Sequence, residues 1–192
     1  MQNNKNYGGD VENVVRIVRD AGGELKGRTR LQKVAFLLEI TGLGDGFEFE
    51  YHRFGPYSEQ LANAVSAAVI LGTLSEEEFP TNWGGFYSVF KAYSQPMEQP
   101  STTRFEMIHQ ATASDPIALE LAATAAFLAA DGELDPWFET ERRKPEKAKL
   151  HLNEAKSLYL TLQALPTPRR LPSINSELKV KGDQMASDST QP

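Results

Sequence analysis

The side chains in this sequence with the most capacity for chemistry are three histidines, two groups of cations and a few exposed-type aromatics. His52, His109 and His151 fall in three separate segments, with no partner at metal-ligand spacing and no paired-histidine helix motif. As a general base, His52 would need a neighbouring acid or nucleophile, and Glu50 and Ser58 are the nearest in sequence. The glycines at 42, 44 and 46 and at 84 and 85 lack the patterns of phosphate-cradling loops, and no nucleophile elbow occurs. Glu76, Glu77 and Glu78 are adjacent, so on a strand they diverge and read as a solvated charge run. These residues predict no catalytic site, no cofactor and no metal, hence a protein that is not an enzyme.

The cations are more informative. Lys26, Arg28, Arg30 and Lys33 cluster at the start of an apolar helix and could contact phosphates. Arg142, Arg143, Lys144, Lys147 and Lys149 form a second group, but Glu139, Glu141 and Glu146 interleave with them, which reads as a balanced surface. Tyr57, Trp83, Gln60 and Asn63 are the residues expected to meet a partner: Tyr57 and Trp83 as aromatic anchors, Gln60 and Asn63 as polar readers on a helix. Trp137, after Asp135-Pro136, poses the same choice between anchoring and packing inward.

Apolar periodicity predicts a helix from Asp10, its N-cap, with Val11, Val14, Val15 and Val18 on one stripe and a stop at Gly22-Gly23. A second helix spans about Thr29 to Thr41, apolar on much of its surface. Phe47 to Tyr51 alternates apolar and acidic residues, as a half-buried strand does. Gly55-Pro56-Tyr57-Ser58 then turns into a third helix, with Pro56 setting the first turn, Ser58 as cap and Leu61, Ala64, Val65, Ala68 and Leu71 facing inward. A β-hairpin follows, Leu74–Phe79 and Phe86–Tyr93 around Asn82-Trp83-Gly84-Gly85. Three more helices are expected: about Thr102–Gln110, Pro116–Ala130 capped by Asp115, and Pro145 to about Leu165.

The fold class is therefore α+β, mostly α. Helix, helix, strand, helix and hairpin make a winged-helix-like core, with additional C-terminal helices behind it. Residues 1–8 read as a flexible N-terminus, 9–166 as a single domain and 167–192, proline-punctuated and polar, as a disordered C-terminal tail. The net charge is −6, so nucleic acid and anionic membranes gain no attraction from the molecule as a whole. Cysteine is absent, which removes disulfides, thiolate metal sites and cysteine nucleophiles. No apolar run approaches the roughly 20 residues of a membrane helix, and the first residues lack a signal-peptide core. The expected location is cytoplasmic, without membrane contact.

Three segments together carry a family likeness: Gly27-Arg28-Thr29-Arg30-Leu31-Gln32-Lys33; Tyr51-His52-Arg53-Phe54-Gly55-Pro56-Tyr57-Ser58 running into Glu59-Gln60-Leu61; and Leu119-Glu120-Leu121-Ala122-Ala123-Thr124 with Lys144-Pro145 and the last helix. The chain resembles the YwgA-like proteins and the related SocA-like antitoxin (Panacea) domain over about residues 10 to 165. That resemblance implies a compact helical domain with a winged-helix-like core. It also implies a small accessory factor of toxin–antitoxin or phage-defence loci that neutralises a toxin by binding it, or acts as an adaptor. It supplies no catalytic residues. The function expected is a non-enzymatic accessory or adaptor protein with a protein partner, a toxin or defence effector. The alternative is a winged-helix DNA-binding transcriptional regulator using Lys26, Arg28, Arg30 and Lys33. Against DNA binding, the third helix has no lysine or arginine between Ser58 and Thr73, and the hairpin tip has no charge. A homo-oligomer is compatible with either reading.

Overall fold

The structure is a computed structural model that describes residues 7–81, 84–93 and 101–174. It is mixed α+β and mostly helical. Helix α1 spans Tyr7–Asp20, strand β1 Glu24–Lys26 and helix α2 Arg28–Ile40; strands β2 (Glu50–His52) and β3 (Gly55–Tyr57) precede helix α3 (Glu59–Ile70). Strands β4 (Leu74–Pro80) and β5 (Phe86–Ala92) are followed by α4 (Thr102–Ala113), α5 (Pro116–Ala130), α6 (Pro136–Arg143) and α7 (Pro145–Gln163).

The sheet is three-stranded, in the order β1-β5-β4 and antiparallel throughout. Leu25 of β1 pairs with Phe90 of β5, and both are buried. Helices α1 and α3 pack on each other, α1 also on β5 and α3 also on β4. The second layer is built around α5, which is buried on nearly every face and packs against α7, α6, α2 and β3. Its alanines make this approach close: Ala118, Ala122, Ala123, Ala125 and Ala126 are all buried, and no long side chain holds the neighbours away. Asp115 caps α5 as expected, accepting from the backbone N–H groups of Ile117 and Ala118, with Pro116 at the first helical position.

Several expectations need correcting. Asp10 is not a cap, because α1 begins at Tyr7; residues 1–6 lie outside the described residues. The strand predicted over 47–51 is only Glu50–His52, although Phe47 is buried and Glu48 is exposed as the alternation implied. Gly55-Pro56-Tyr57 is not the first turn of a helix. It is β3, paired back on β2 across a two-residue loop at Arg53-Phe54, so the expected single strand is a small hairpin. Leu71 does not face inward and is 67% exposed. Strand β1 and helix α6 add to the expected order. The packed domain also continues past 166. Leu171 is buried in the core, the Tyr159 hydroxyl donates to the Pro172 carbonyl at 2.7 Å, and Arg169 donates its backbone N–H to the Thr41 carbonyl at 2.9 Å. Residues 175–192 lie outside the described residues. Among the described residues no helix is long and apolar enough to cross a membrane.

Candidate functional site

The loop joining β2 to β3 leads into α3, and three buried polar side chains hold this segment. Gln32 of α2 grips Ser58 twice, donating from Nε2 to its carbonyl at 3.0 Å and accepting its N–H on Oε1 at 2.8 Å. Ser58 in turn caps α3, its hydroxyl accepting from the N–H of Leu61. Lys33, the next residue of α2, donates Nζ to the Pro56 carbonyl at 2.6 Å. Lys144, at the start of α7, donates Nζ to the Arg53 carbonyl and to Glu120 of α5, each at 2.9 Å. Lys147 completes the group with two bonds to the Glu120 carboxylate at 2.7 Å. Three separated segments of the chain thus converge on one buried cluster: Gln32-Lys33, Arg53 to Ser58, and Glu120 with Lys144.

This placement overturns one expectation. Lys33 is not part of a surface patch; it is 2% exposed and sits under the hairpin. Burial pushes its ammonium down to about 7, with Lys144 and Lys147 adding to the effect and Glu120 opposing it. In the unfolded chain the amine titrates near its ordinary 10.5. Between these values the unfolded state binds a proton that the folded state lacks, so stability rises with pH through this window. The Lys33 contribution is lowest below about 7, where both states are protonated. One such proton gives a slope of up to ~1.4 kcal/mol per pH unit. Lys33→Met is expected to remove that slope. Urea denaturation of both proteins at several pH values between about 7 and about 9.5 checks it, and parallel slopes would show that the amine titrates normally.

Gly55 is the tightest point of the frame. Its φ is +86°, and a Cβ there would stand 2.5 Å from Thr124 Oγ1 on α5. Gly55→Val is expected to lose 1–3 kcal/mol or more, on the order of the cost of a β-branched residue forced into that region. Thermal denaturation reads the loss, and a Thr124→Ala background should recover the part due to the clash.

Over the cluster lies a pocket of about 340 Å³. Its apolar wall is Leu31, Phe54, Ala62, Val65 and Phe90. Its charged and titratable lining is Arg28, Lys33, His52, Arg53 and Tyr57, and among the described residues no carboxylate lines it. Arg28, with its side chain 63% exposed, reaches Glu76 at 2.7 Å and Ser88 at 3.2 Å. His52 lies 3.9 Å from the exposed Glu50 and its ring is tilted against that of Tyr57, with ring centres 4.9 Å apart. Arg53 lies over the Phe54 ring at 5.4 Å, and among the described residues no carboxylate stands within ion-pair distance of it.

The other predicted contact residues scatter. Tyr57 is half-buried in the pocket wall, whereas Gln60 is turned away to bond Asp10 of α1 at 2.9 Å, and Asn63 is exposed on α3. Trp83, with Asn82, lies outside the described residues. Arg30 is half-buried and donates to the Ser114 carbonyl at 3.0 Å, while Lys26 is exposed beside Glu24. Lys26, Arg28, Arg30 and Lys33 therefore do not form one phosphate-binding face. In the second basic group, Arg142 and Arg143 both bond Glu139 and hold its carboxyl down at about 2, as a balanced surface would. Lys144, however, is buried, and Lys144 and Lys147 bond Glu120 of α5 rather than the interleaved acids, so for these two the expected surface is corrected. Trp137 packs inward, edge-on to Tyr159 at 5.6 Å.

Folding also gives His151 the partners that spacing did not show: Nδ1 is 3.2 Å from Asp115 and 3.6 Å from Glu154. The three offer one ligand atom each within 4.8 Å of one another. Asp115 Oδ1 already accepts from the Ile117 and Ala118 N–H groups as the cap of α5, so the grouping is accounted for as a junction between the start of α5 and α7.

The chain matches no family model, no curated protein and no solved structure.

Proposed function

We propose that this protein acts by binding a protein partner, as an antitoxin-like or defence-associated accessory factor with no catalysis of its own. The observation that carries this reading is the pocket at the β2–β3 loop. It has an apolar wall, a basic rim and a frame that Gln32, Lys33 and Lys144 hold rigid before any partner arrives. A concave site whose frame is already hydrogen-bonded suits recognition, because little ordering cost falls on the binding step. Affinity capture from the source cells, with the wild type beside Arg53→Glu, tests it. One protein should be enriched in near-equal amount by the wild type and lost with the variant. Recovery of nucleic acid alone would count against the reading.

The second reading is a winged-helix DNA-binding regulator. What favours it is β1, which lies between α1 and α2 and joins the β4–β5 hairpin as a third strand, beside helices α1 and α3. Against it, α3 exposes Glu59, Asn63 and Ser66 and carries no cation. With Lys33 buried, Lys26, Arg28 and Arg30 are the cations left at the start of α2. Three phosphate contacts give a salt slope of about −3, that of weak non-specific binding. Titration of labelled duplex DNA across salt concentrations separates the two readings.

A further inference from the structure

We propose that the pocket at the β2–β3 loop receives a short acidic segment of the partner protein, seating one large apolar side chain against Phe54 and Ala62, above the buried Val65 and Phe90, while a neighbouring carboxylate takes the Arg53 guanidinium. The proposal rests on the protein-binding reading and specifies its ligand chemistry.

Charge complementarity carries the argument. In a chain of net charge −6, the pocket lining holds basic groups and, among the described residues, no acid. Arg53 is at the rim, exposed and without an ion-pair partner among the described residues, so its planar fork is available for a two-point bond to a carboxylate. Arg28, across the pocket, is held by Glu76, and an arriving acid competes for it rather than finding it vacant. The apolar wall supplies the affinity that a single surface ion pair, worth about 1 kcal/mol or less, does not.

Backbone geometry narrows the mode of binding. A partner strand cannot add along β3, because Pro56 has no N–H, its carbonyl is taken by Lys33, and both backbone groups of Ser58 are taken by Gln32. Recognition therefore goes through side chains. A nucleic-acid backbone would need a row of cations, and α3 beside the pocket has none, with Glu59 at its first turn. The volume, about 340 Å³, is at the small end for ligand sites, which run roughly 300–1,000 Å³, and suits one or two side chains rather than a cofactor.

The test is selection of a phage-displayed random peptide library on the immobilised full-length chain. Two variants serve as controls: Ala62→Trp, which fills the pocket, and Arg53→Glu, whose exposed position keeps the fold intact. The enriched peptides should share an Asp or Glu within a few residues of Phe, Leu, Met or Trp. A synthetic copy of the best should bind at least about tenfold more weakly to each variant, with the melting temperature of Arg53→Glu unchanged. Enriched peptides without an acid, binding indifferent to both variants, or no enrichment would each overturn the proposal. Tighter binding of short duplex DNA that Arg53→Glu abolishes would overturn it as well. A partner captured from cells by the wild type despite a failed selection would leave the protein-binding reading standing and remove only this ligand chemistry.

Discussion

Arg104→Ala is expected to destabilise the protein by about 3–5 kcal/mol, the cost typical of breaking a buried ion pair by removing one partner. Arg104 lies on α4, but its guanidinium ties together three parts of the chain. Nε donates to Asp20 at the end of α1 at 2.6 Å, one terminal nitrogen donates to Asp45 at 2.8 Å, and the other to the Leu43 carbonyl. All three side chains are buried, with 9% exposure for Arg104, 6% for Asp20 and 1% for Asp45. Alanine leaves Asp20 and the Leu43 carbonyl without these bonds, whereas Asp45 retains Arg16. The loop from 42 to 47 keeps a separate anchor, since Glu39 Oε1 accepts three consecutive N–H groups from Asp45, Gly46 and Phe47. The loss should therefore appear as lower global stability rather than as an unfolded loop. For a domain of this size it corresponds to a fall in melting temperature of roughly 6–20 °C. Arg104→Lys, which keeps the charge but not the fork, should fall between. A loss under about 1 kcal/mol for the alanine variant would mean that water replaces the guanidinium at little cost.

Glu120→Gln is expected to have a comparable effect, about 3–5 kcal/mol, and to weaken the pocket frame as well. The carboxylate is 5% exposed and faces Lys144, Lys147 and, at longer range, Lys33. Without its charge, Lys144 is a buried ammonium facing only neutral acceptors, and Lys33 loses the influence that raises its pKa. The Lys33 titration should then move further below about 7, visible as a shift in the pH dependence of unfolding. The double variant Glu120→Gln/Lys144→Met should lose less than the sum of the single variants, with coupling of about 0.5–3 kcal/mol. Strict additivity in a double-mutant cycle would show that the two side chains do not depend on each other. Because Lys144 also holds the Arg53 carbonyl, Glu120→Gln should reduce peptide binding without altering any residue of the pocket wall.

Much of the helical scaffold was legible in the residues. The stop after α1 at Gly22-Gly23, the Asp115-Pro116 start of α5 and the Ser58 cap of α3 rest on bonds between residues a few positions apart, so local sequence decides them. The Pro145 start of α7 and the β4–β5 hairpin were legible for the same reason, one through a proline at the first helical position and the other through a short connection. Helix α6 also carried a local signal: Asp135-Pro136 repeats the cap-and-proline start of α5, and its acceptance from the Phe138 N–H matches.

The candidate site was legible only in pieces. Gln32-Lys33, the Gly55-Pro56-Tyr57-Ser58 segment and Glu120 with Lys144 stood out separately, but nothing in their spacing said that they touch. Lys33 in particular reads as a solvent-facing cation near the start of an amphipathic helix. Only the Pro56 carbonyl, 23 residues on, and Glu120 on α5 make its burial tolerable. Strand β1 shows the same limit. Three residues have no periodicity to read, and its partners Val89 to Lys91 lie more than sixty residues away. Residues 167–174 look like a proline-rich tail until Tyr159 and Gln163 supply donors for the Pro172 carbonyl. Local bonds and apolar period thus set where the helices of this protein start and stop. Which cations are buried, where the pocket opens and where the domain ends were decided by tertiary contact, because a buried polar group is stable only beside a partner that the chain brings from elsewhere.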